Sequence, residues 1–488
     1  MVSIVPDFRL PVLLQVSCLN SLTKTFSPTE LNITNNAVSP DCGPTVPALL
    51  VNGRFNGPTL EANVGEIIEV TVHNKLFSEG TSIHWHGLHL RDAPYYDGAG
   101  KITQDLIPPG KSFTYRIPTG EQSGTYFYHA HHALQSQQIH GALIIRDPKT
   151  DSQLPHYDEE RILEFSDHWH KDSTTQLVGL VANPTFTWIG DAQSLLINGK
   201  GPFNGTCATG NSQNWTTIEV EQGKTYRLRL IGSSTLGYFN FEIPNHNLTI
   251  VEADGIPVKP YTVSRLEINS GQRYSVLLKA DQPPSVYWAS LRILWRPAGP
   301  TGFALLKYKN APNDVVTSAQ PSFVSPPSKP AESIEWILPK LEPLKGHGKT
   351  VPKKADREIV LESTQFTNYT YEGSDTRYVR WIVNNVSFTF PPRPTYFHAL
   401  EGSLDKLPVT SKPYHIKHNE VVDFIFQAVT SAGGVCEAHP WHIHGNYFYE
   451  IESGPGKYDP KLTTPASNAT HFENPLPRDS ITVFPYQV

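Results

Sequence analysis

Ser82–Gly87 reads SIHWHG and Gly124–His132 reads GTYFYHAHH. On an extended strand, alternate residues point to the same face. His84 and His86, and likewise His129 and His131, therefore each send a pair of imidazoles to one side of a strand. Around them IIEVTVHNKL (Ile67–Leu76) and KSFTYRI (Lys111–Ile117) are separated by the turn clusters NGRFNGP, IPPGK and PTGEQSG. Alternation broken by such turns is the pattern of a β-sandwich or barrel, and it defines a first unit over residues 23–150. His132 points away from the pair before it, and we read it, His89 and His140 as bystanders.

A third histidine-rich stretch, Cys436–Tyr447, reads CEAHPWHIHGNY. On a strand, His442 and His444 share a face, while His439 has the opposite parity and serves a neighbouring centre. Pro440 cannot donate to a sheet ladder, which suits an edge or a kink.

The chain has 488 residues, enough for roughly three domains of ~100–200 residues each. Its 42 prolines and 34 glycines, set among Val, Ile, Thr, Tyr and Phe runs, favour short strands joined by turns, and so an all-β class. The net charge of -6 and the lack of a basic run interleaved with aromatics argue against nucleic acid as a partner. Near the N-terminus, LPVLLQV (Leu10–Val16) is long enough for the apolar core of a leader over residues 1–22, but too short to cross a membrane. Glycosylation sequons at Asn32, Asn204, Asn214, Asn247, Asn368, Asn385 and Asn468 point to secretion. Of the four cysteines, Cys18 falls in the leader, which leaves Cys42 and Cys207 to form a disulfide and Cys436 unpaired.

A second β-rich unit covers residues 158–310, with strands such as TYRLRLIG and RYSVLLKA. Its DHWH (Asp167–His170) carries a further alternating pair, His168 and His170, but no third ligand lies nearby within the unit. A Pro/Ser-rich connection over 311–355 leads to a third unit at 356–488, which contains the Cys436–Tyr447 stretch. Pooling the first and third units gives His84, His86, His129, His131, His439, His442 and His444. Imidazole-rich, thiolate-poor ligation suits copper, zinc or iron, and this set exceeds the needs of one zinc ion.

HWHG, YHAH and HPWHIHG, in this order, resemble three of the four copper-binding motifs of the multicopper oxidases, and within that family the ascorbate oxidases. NGRFNGPTLEANVGE, NHNLTIVEADG, RWIVNNVSFTFPP and VFPY extend the likeness over nearly the whole chain from about Cys42. The resemblance implies three cupredoxin-like Greek-key domains, with a trinuclear copper cluster between the first and third and a blue copper in the third. His84 and His442 would then hold the type 2 copper, and His86, His129, His131 and His444 part of the type 3 pair. His439 would be a ligand of the blue, type 1 copper. Asp97, in YYDGAG, matches a family acid that assists proton delivery during dioxygen reduction, and Trp169 and Trp381 match residues lining the organic-substrate pocket.

The family's fourth motif, HCHxxxH, is expected after VFPY, and the sequence ends at Val488 before it. The third domain is therefore expected to be truncated at its C-terminal end, and type 1 copper to form only if that segment is supplied. The expectation leaves three origins open: a truncation, a cleaved enzyme whose separate C-terminal chain completes the domain, or a short paralogue. Cys436 pairs with a cysteine of that segment or stays free. Two functions follow from the resemblance. One is a secreted copper oxidase coupling one-electron oxidation of ascorbate or phenols to reduction of dioxygen to water, and the other a copper-binding cupredoxin paralogue without oxidase activity. Expressed alone with copper, the chain is expected to lack the intense blue thiolate absorption.

Overall fold

The structure, a computed structural model, describes residues 29–203, 215–294, 296, 299–311, 340–369, 377–411, 413–428, 434, 438–453, 456–458 and 470–484, with the backbone of 4–6. Strands dominate it, and the longest α-helix among the described residues is Ser173–Val181. No helix among them is long and apolar enough to cross a membrane.

Two four-stranded sheets make up the part before Asp147. One orders Val46–Val51, Thr29–Val38, Ile67–Lys75 and Ser112–Pro118, and the other Leu60–Asn63, His140–Arg146, Gly124–Ala130 and Ile83–His86. Ile67–Lys75 shows how the sequence sets this up. Ile68, Val70 and Val72 are buried while Glu69, Thr71 and His73 are not, so one face of the sheet covers the core. The histidine strands use the same alternation differently. Ile83–His86 runs antiparallel to Gly124–Ala130, with His84 opposite His129 and Trp85 opposite Tyr128. Ile83 and Trp85 are buried in the core of their own sandwich. The period of two therefore turns His84 and His86 outward, toward the rest of the molecule.

The middle part pairs a six-stranded sheet, ordered Ser194–Ile197, Glu159–His168, Thr225–Gly232, Arg273–Lys279, Leu248–Ala253 and Ile256–Val263, with a five-stranded one. It meets the first part through buried charge: Glu252 Oε1 accepts from the Thr125 amide at 2.8 Å, and Arg229 donates to Thr125 Oγ1 at 2.8 Å. His140 sits here rather than at the histidine cluster, with Nδ1 3.0 Å from Glu164. Part of the Pro/Ser-rich connection also belongs to this layer. Lys259 and Leu344 donate backbone hydrogen bonds between Ile256–Val263 and residues 342–344, and Leu341 is buried in the middle core.

In the third part Arg357–Tyr369 lies between Arg377–Val383 and Val422–Ala428. The strand His439–His442 pairs antiparallel with Ser480–Val483, bringing His442 opposite Ser480. The core here is smaller and includes Leu361, Phe426 and Val483, with Trp441 against it.

Cys42 is disulfide-bonded, but Cys18, Cys207 and Cys436 lie outside the described residues, as do the leader side chains and the sequons at Asn204, Asn214 and Asn468. Asn247, Asn368 and Asn385 are exposed, and Asn32 is half-buried.

Candidate metal centre

The outward face of the first part and the His439–His442 strand of the third meet at one point. A backbone carbonyl can only accept a hydrogen bond, so each carbonyl facing an imidazole fixes which nitrogen carries hydrogen. His84 Nδ1 donates to the Asp97 carbonyl at 2.8 Å, and His442 Nδ1 donates to the Asp479 carbonyl at 2.8 Å. The two free Nε2 atoms then face each other at 3.3 Å. His129 Nδ1 donates to the Ala130 carbonyl at 2.9 Å, and His444 Nδ1 donates to Asp97 Oδ2 at 2.8 Å.

His86 is anchored the other way round. Its Nε2 lies 3.1 Å from Ser480 Oγ and 3.3 Å from Asp479 Oδ1. That leaves Nδ1 facing His129 Nε2 at 3.4 Å. His131 completes the group, its ring 5.6 Å from that of His84 and 5.1 Å from that of His444. Gly271 makes room for this packing: at φ +80° its backbone passes so close that an added Cβ would stand 2.8 Å from His86 Cε1.

Five of these imidazoles thus have one nitrogen tied to a fixed partner, and in four of them, His84, His442, His86 and His129, the other nitrogen faces that of a neighbouring ring. This is the arrangement by which outer partners orient metal-bound histidines. Two donors ~2.0–2.1 Å from a shared ion lie roughly 3–4 Å apart, which the 3.3 and 3.4 Å separations match. The donor set therefore fits soft-to-borderline metal ions held by neutral imidazole. A cavity of about 420 Å³ runs from His86, His129 and His131 to His439, with Leu361, Phe424 and Phe426 among its walls.

Burial is the first cause that keeps these rings neutral. It lowers His84, drives His86, His131 and His442 well below the ordinary 6.5, and takes His129 to about 3, with competition for protons among the crowded rings, and Arg273 beside His86, adding to the effect. Burial alone would raise the Asp97 carboxyl, but His444 and His84 beside it hold it well below the usual carboxylate range.

A pH dependence follows for the copper-free protein. Between pH 6.5 and about 3 the unfolded chain protonates His129 and the folded chain does not. Stability is therefore unaffected by this ring above 6.5 and falls as pH falls below it, by about 1.4 kcal/mol per pH unit for each such imidazole. Urea midpoints of copper-free protein should drop steeply from neutral to mildly acidic pH, and a flat profile would mean that the rings are solvated.

Multicopper oxidase domains match residues 32–150, 159–311 and 373–488 of the chain. L-ascorbate oxidase from Cucumis sativus is 35% identical over 495 residues, covering 92% of this chain and 81% of that protein. Laccase-like multicopper oxidase 1 from Thermothelomyces thermophilus is 30% identical, covering 90% and 76%. The crystal structure of laccase from Botrytis aclada superposes with a TM-score of 0.73 at 26% identity, covering 95% of this chain and 82% of that one. This chain belongs to the multicopper oxidase family. It has the all-β, cupredoxin-like architecture of that family, and its cofactor is copper, in type 2 and type 3 sites.

In this multicopper oxidase the six histidines His84, His86, His129, His131, His442 and His444 are gathered together, with Asp97 bridging His84 and His444. The strand covers His439–His442 only, so His444 reaches the cluster from the bend beyond it rather than from the strand expected. Its ring nevertheless stacks on His84 at 3.8 Å between centroids. His439 stands apart on the cavity wall.

The two tryptophans separate. Trp381 is 43% exposed and lies beside Phe186 and the 40% exposed Trp188, with ring centroids at 6.0 and 6.5 Å. Trp169 is 3% exposed, and its indole N–H donates to the Gly190 carbonyl at 3.1 Å. No ring contact joins Trp169 to Trp381 among the described residues.

Sequence reasoning missed Asp479, Ser480 and Arg273. Asp479 anchors His442 and His86, and Arg273 grips its carboxylate at 2.6 and 2.7 Å. Nothing in the local texts RDS (Arg478–Ser480) and GQRYS (Gly271–Ser275) marks them, because their partners lie in other parts of the chain.

Proposed function

We propose that this multicopper oxidase is a secreted enzyme that takes single electrons from ascorbate or a phenol and reduces dioxygen to water. The observation that carries the reading is the set of buried, neutral imidazoles whose free nitrogens converge at 3.3–3.4 Å between the first and third parts. Copper bound there supplies one-electron redox chemistry and the binding of dioxygen.

The chain's own residues do the rest. His84 and His442 hold the type 2 copper, while His86, His129, His131 and His444 contribute to the type 3 pair. Asp97 keeps the rings of His84 and His444 in place, and by its likeness to the family acid it assists proton delivery. Asp479 and Ser480 orient His86 and His442. His439 belongs to the electron-entry copper, a site that calls for a thiolate and a second histidine beside it. Trp381, with Trp188, offers the donor an aromatic wall, and the buried Trp169 is held by the Gly190 carbonyl. Likeness to the ascorbate oxidases favours ascorbate, with phenols next, and the exposed sequons support secretion.

Oxygen uptake by the copper-loaded protein, with ascorbate and with a phenol in parallel, tests the proposal. Turnover with either supports it, and Trp381→Ala should raise KM about 2- to 10-fold with little change in kcat, as expected for loss of one aromatic contact. A protein that holds copper in the cluster and consumes no oxygen with either donor would overturn the oxidase reading. What would remain is copper binding without turnover.

A further inference from the structure

Among the described residues the pair His168 and His170 gathers no third ligand from its own unit, but the fold supplies one from another. Asp41, in a loop of the first part, lies with both rings, and one ligand atom from each of the three falls within 4.8 Å of the others. His170 Nε2 is 2.6 Å from Asp41 Oδ2. The rings of His168 and His170 approach edge to face at 5.7 Å. The alternation of the DHWH segment explains the pairing. Trp169 turns away to Gly190, so its two neighbours turn together toward Asp41.

We propose that Asp41, His168 and His170 form a second metal site, separate from the copper cluster, that takes one divalent cation of the zinc or copper class and joins the first part of the molecule to the second. Two imidazoles and one carboxylate are a recurrent donor set for such ions.

A pointer independent of the clustering is His168 itself. It is 1% exposed, yet its Nε2 is buried with no hydrogen-bond partner. A buried ring nitrogen left unsatisfied is destabilising, and a metal ion would satisfy it. The carboxylate is also held as an outer shell holds a ligand. Ser194 Oγ donates to Asp41 Oδ2 at 2.6 Å, and the Gly43 amide donates to Oδ1 at 3.0 Å. Gly43 is required by the closeness of the loop, since a Cβ there would stand 2.8 Å from His170 Cε1 and Nε2. The His170 side chain is 13% exposed, which leaves an entry for the ion and for a water as fourth ligand.

Metal content of the copper-loaded protein, measured after incubation with Zn²⁺ and removal of free metal, tests this. The natural chain should retain one divalent ion, zinc or copper, more than His168→Gln or His170→Gln, and whichever metal goes missing identifies the occupant. Zinc affinity at the site should fall at least about 100-fold in each variant, because removing a ligand costs no less than removing an outer partner. His168→Gln leaves the Asp41, His170 and Ser194 contacts in place and so keeps the fold, whereas a variant of the buried Asp41 could fail to fold. The copper cluster's spectra should be unchanged in both variants. Equal divalent content in the natural chain and in His168→Gln would overturn the proposal and leave an Asp–His hydrogen bond beside an unused ring.

Discussion

Asp479→Ala is expected to destabilise the folded chain by about 3–5 kcal/mol, the cost of breaking a buried ion pair by removing one partner. Arg273 and Asp479 are both fully buried, and Arg273 binds the two carboxylate oxygens at 2.6 and 2.7 Å. They belong to a closed group of four charges, because Asp254 lies 3.4 Å from Arg273 and binds Arg478 Nε at 2.6 Å. Two positive and two negative groups balance there, with Asp254 and Arg273 from the middle part and Arg478 and Asp479 from the third. Alanine leaves one guanidinium without compensation in a site closed to water.

Urea unfolding with an unchanged m-value is the measurement, and a loss under about 1 kcal/mol, the scale of a surface pair, would contradict the account. The double variant Arg273→Met/Asp479→Leu separates charge from packing. It removes both members, so most of the stability should return. Copper affinity should stay low, because His86 has lost its Asp479 carboxylate.

Asp97→Asn is expected to lower copper affinity and oxygen consumption about 10- to 100-fold, the effect of losing a partner that orients metal ligands. The carboxylate receives His444 at 2.8 Å and lies 3.2 Å from His84 Nδ1. An amide oxygen can serve only one of them, and its NH₂ would point a donor at a donor. The two rings should suffer unequally, because His84 keeps the Asp97 backbone carbonyl at 2.8 Å while His444 has no such second anchor among its described contacts. The loss should therefore appear first in spectra of the copper held by His444. The turn cannot easily shift to compensate, since Gly98 sits at φ +81° and any Cβ there would stand 1.7 Å from the Ile83 carbonyl oxygen. Unchanged copper stoichiometry and oxygen uptake in Asp97→Asn would contradict this role.

Much of this protein was legible along the chain, because the information is local. Alternation with a period of two marks a half-buried strand wherever it occurs, so Ile67–Lys75 and HWH declared strands and HAH the end of one, although His131 falls one residue beyond the strand Gly124–Ala130. The parity of His439 against His442 likewise set the two on opposite faces of one strand. Asp97 was found through its motif, although the turn that contains it does not reveal that it reaches His444, 347 residues away.

What the sequence by itself determined was therefore which residues could be ligands and on which kind of element they stand. Only the tertiary structure decided which nitrogen of each ring is free, since that depends on carbonyls and carboxylates such as Asp479 that fold in from elsewhere. The same holds for His168 and His170, which lacked a third partner within their own unit and acquire Asp41 across a separation of 129 residues between His170 and Asp41. Strand parity follows from backbone geometry one residue at a time, whereas a ligand set depends on how whole sheets dock, and no local pattern records that.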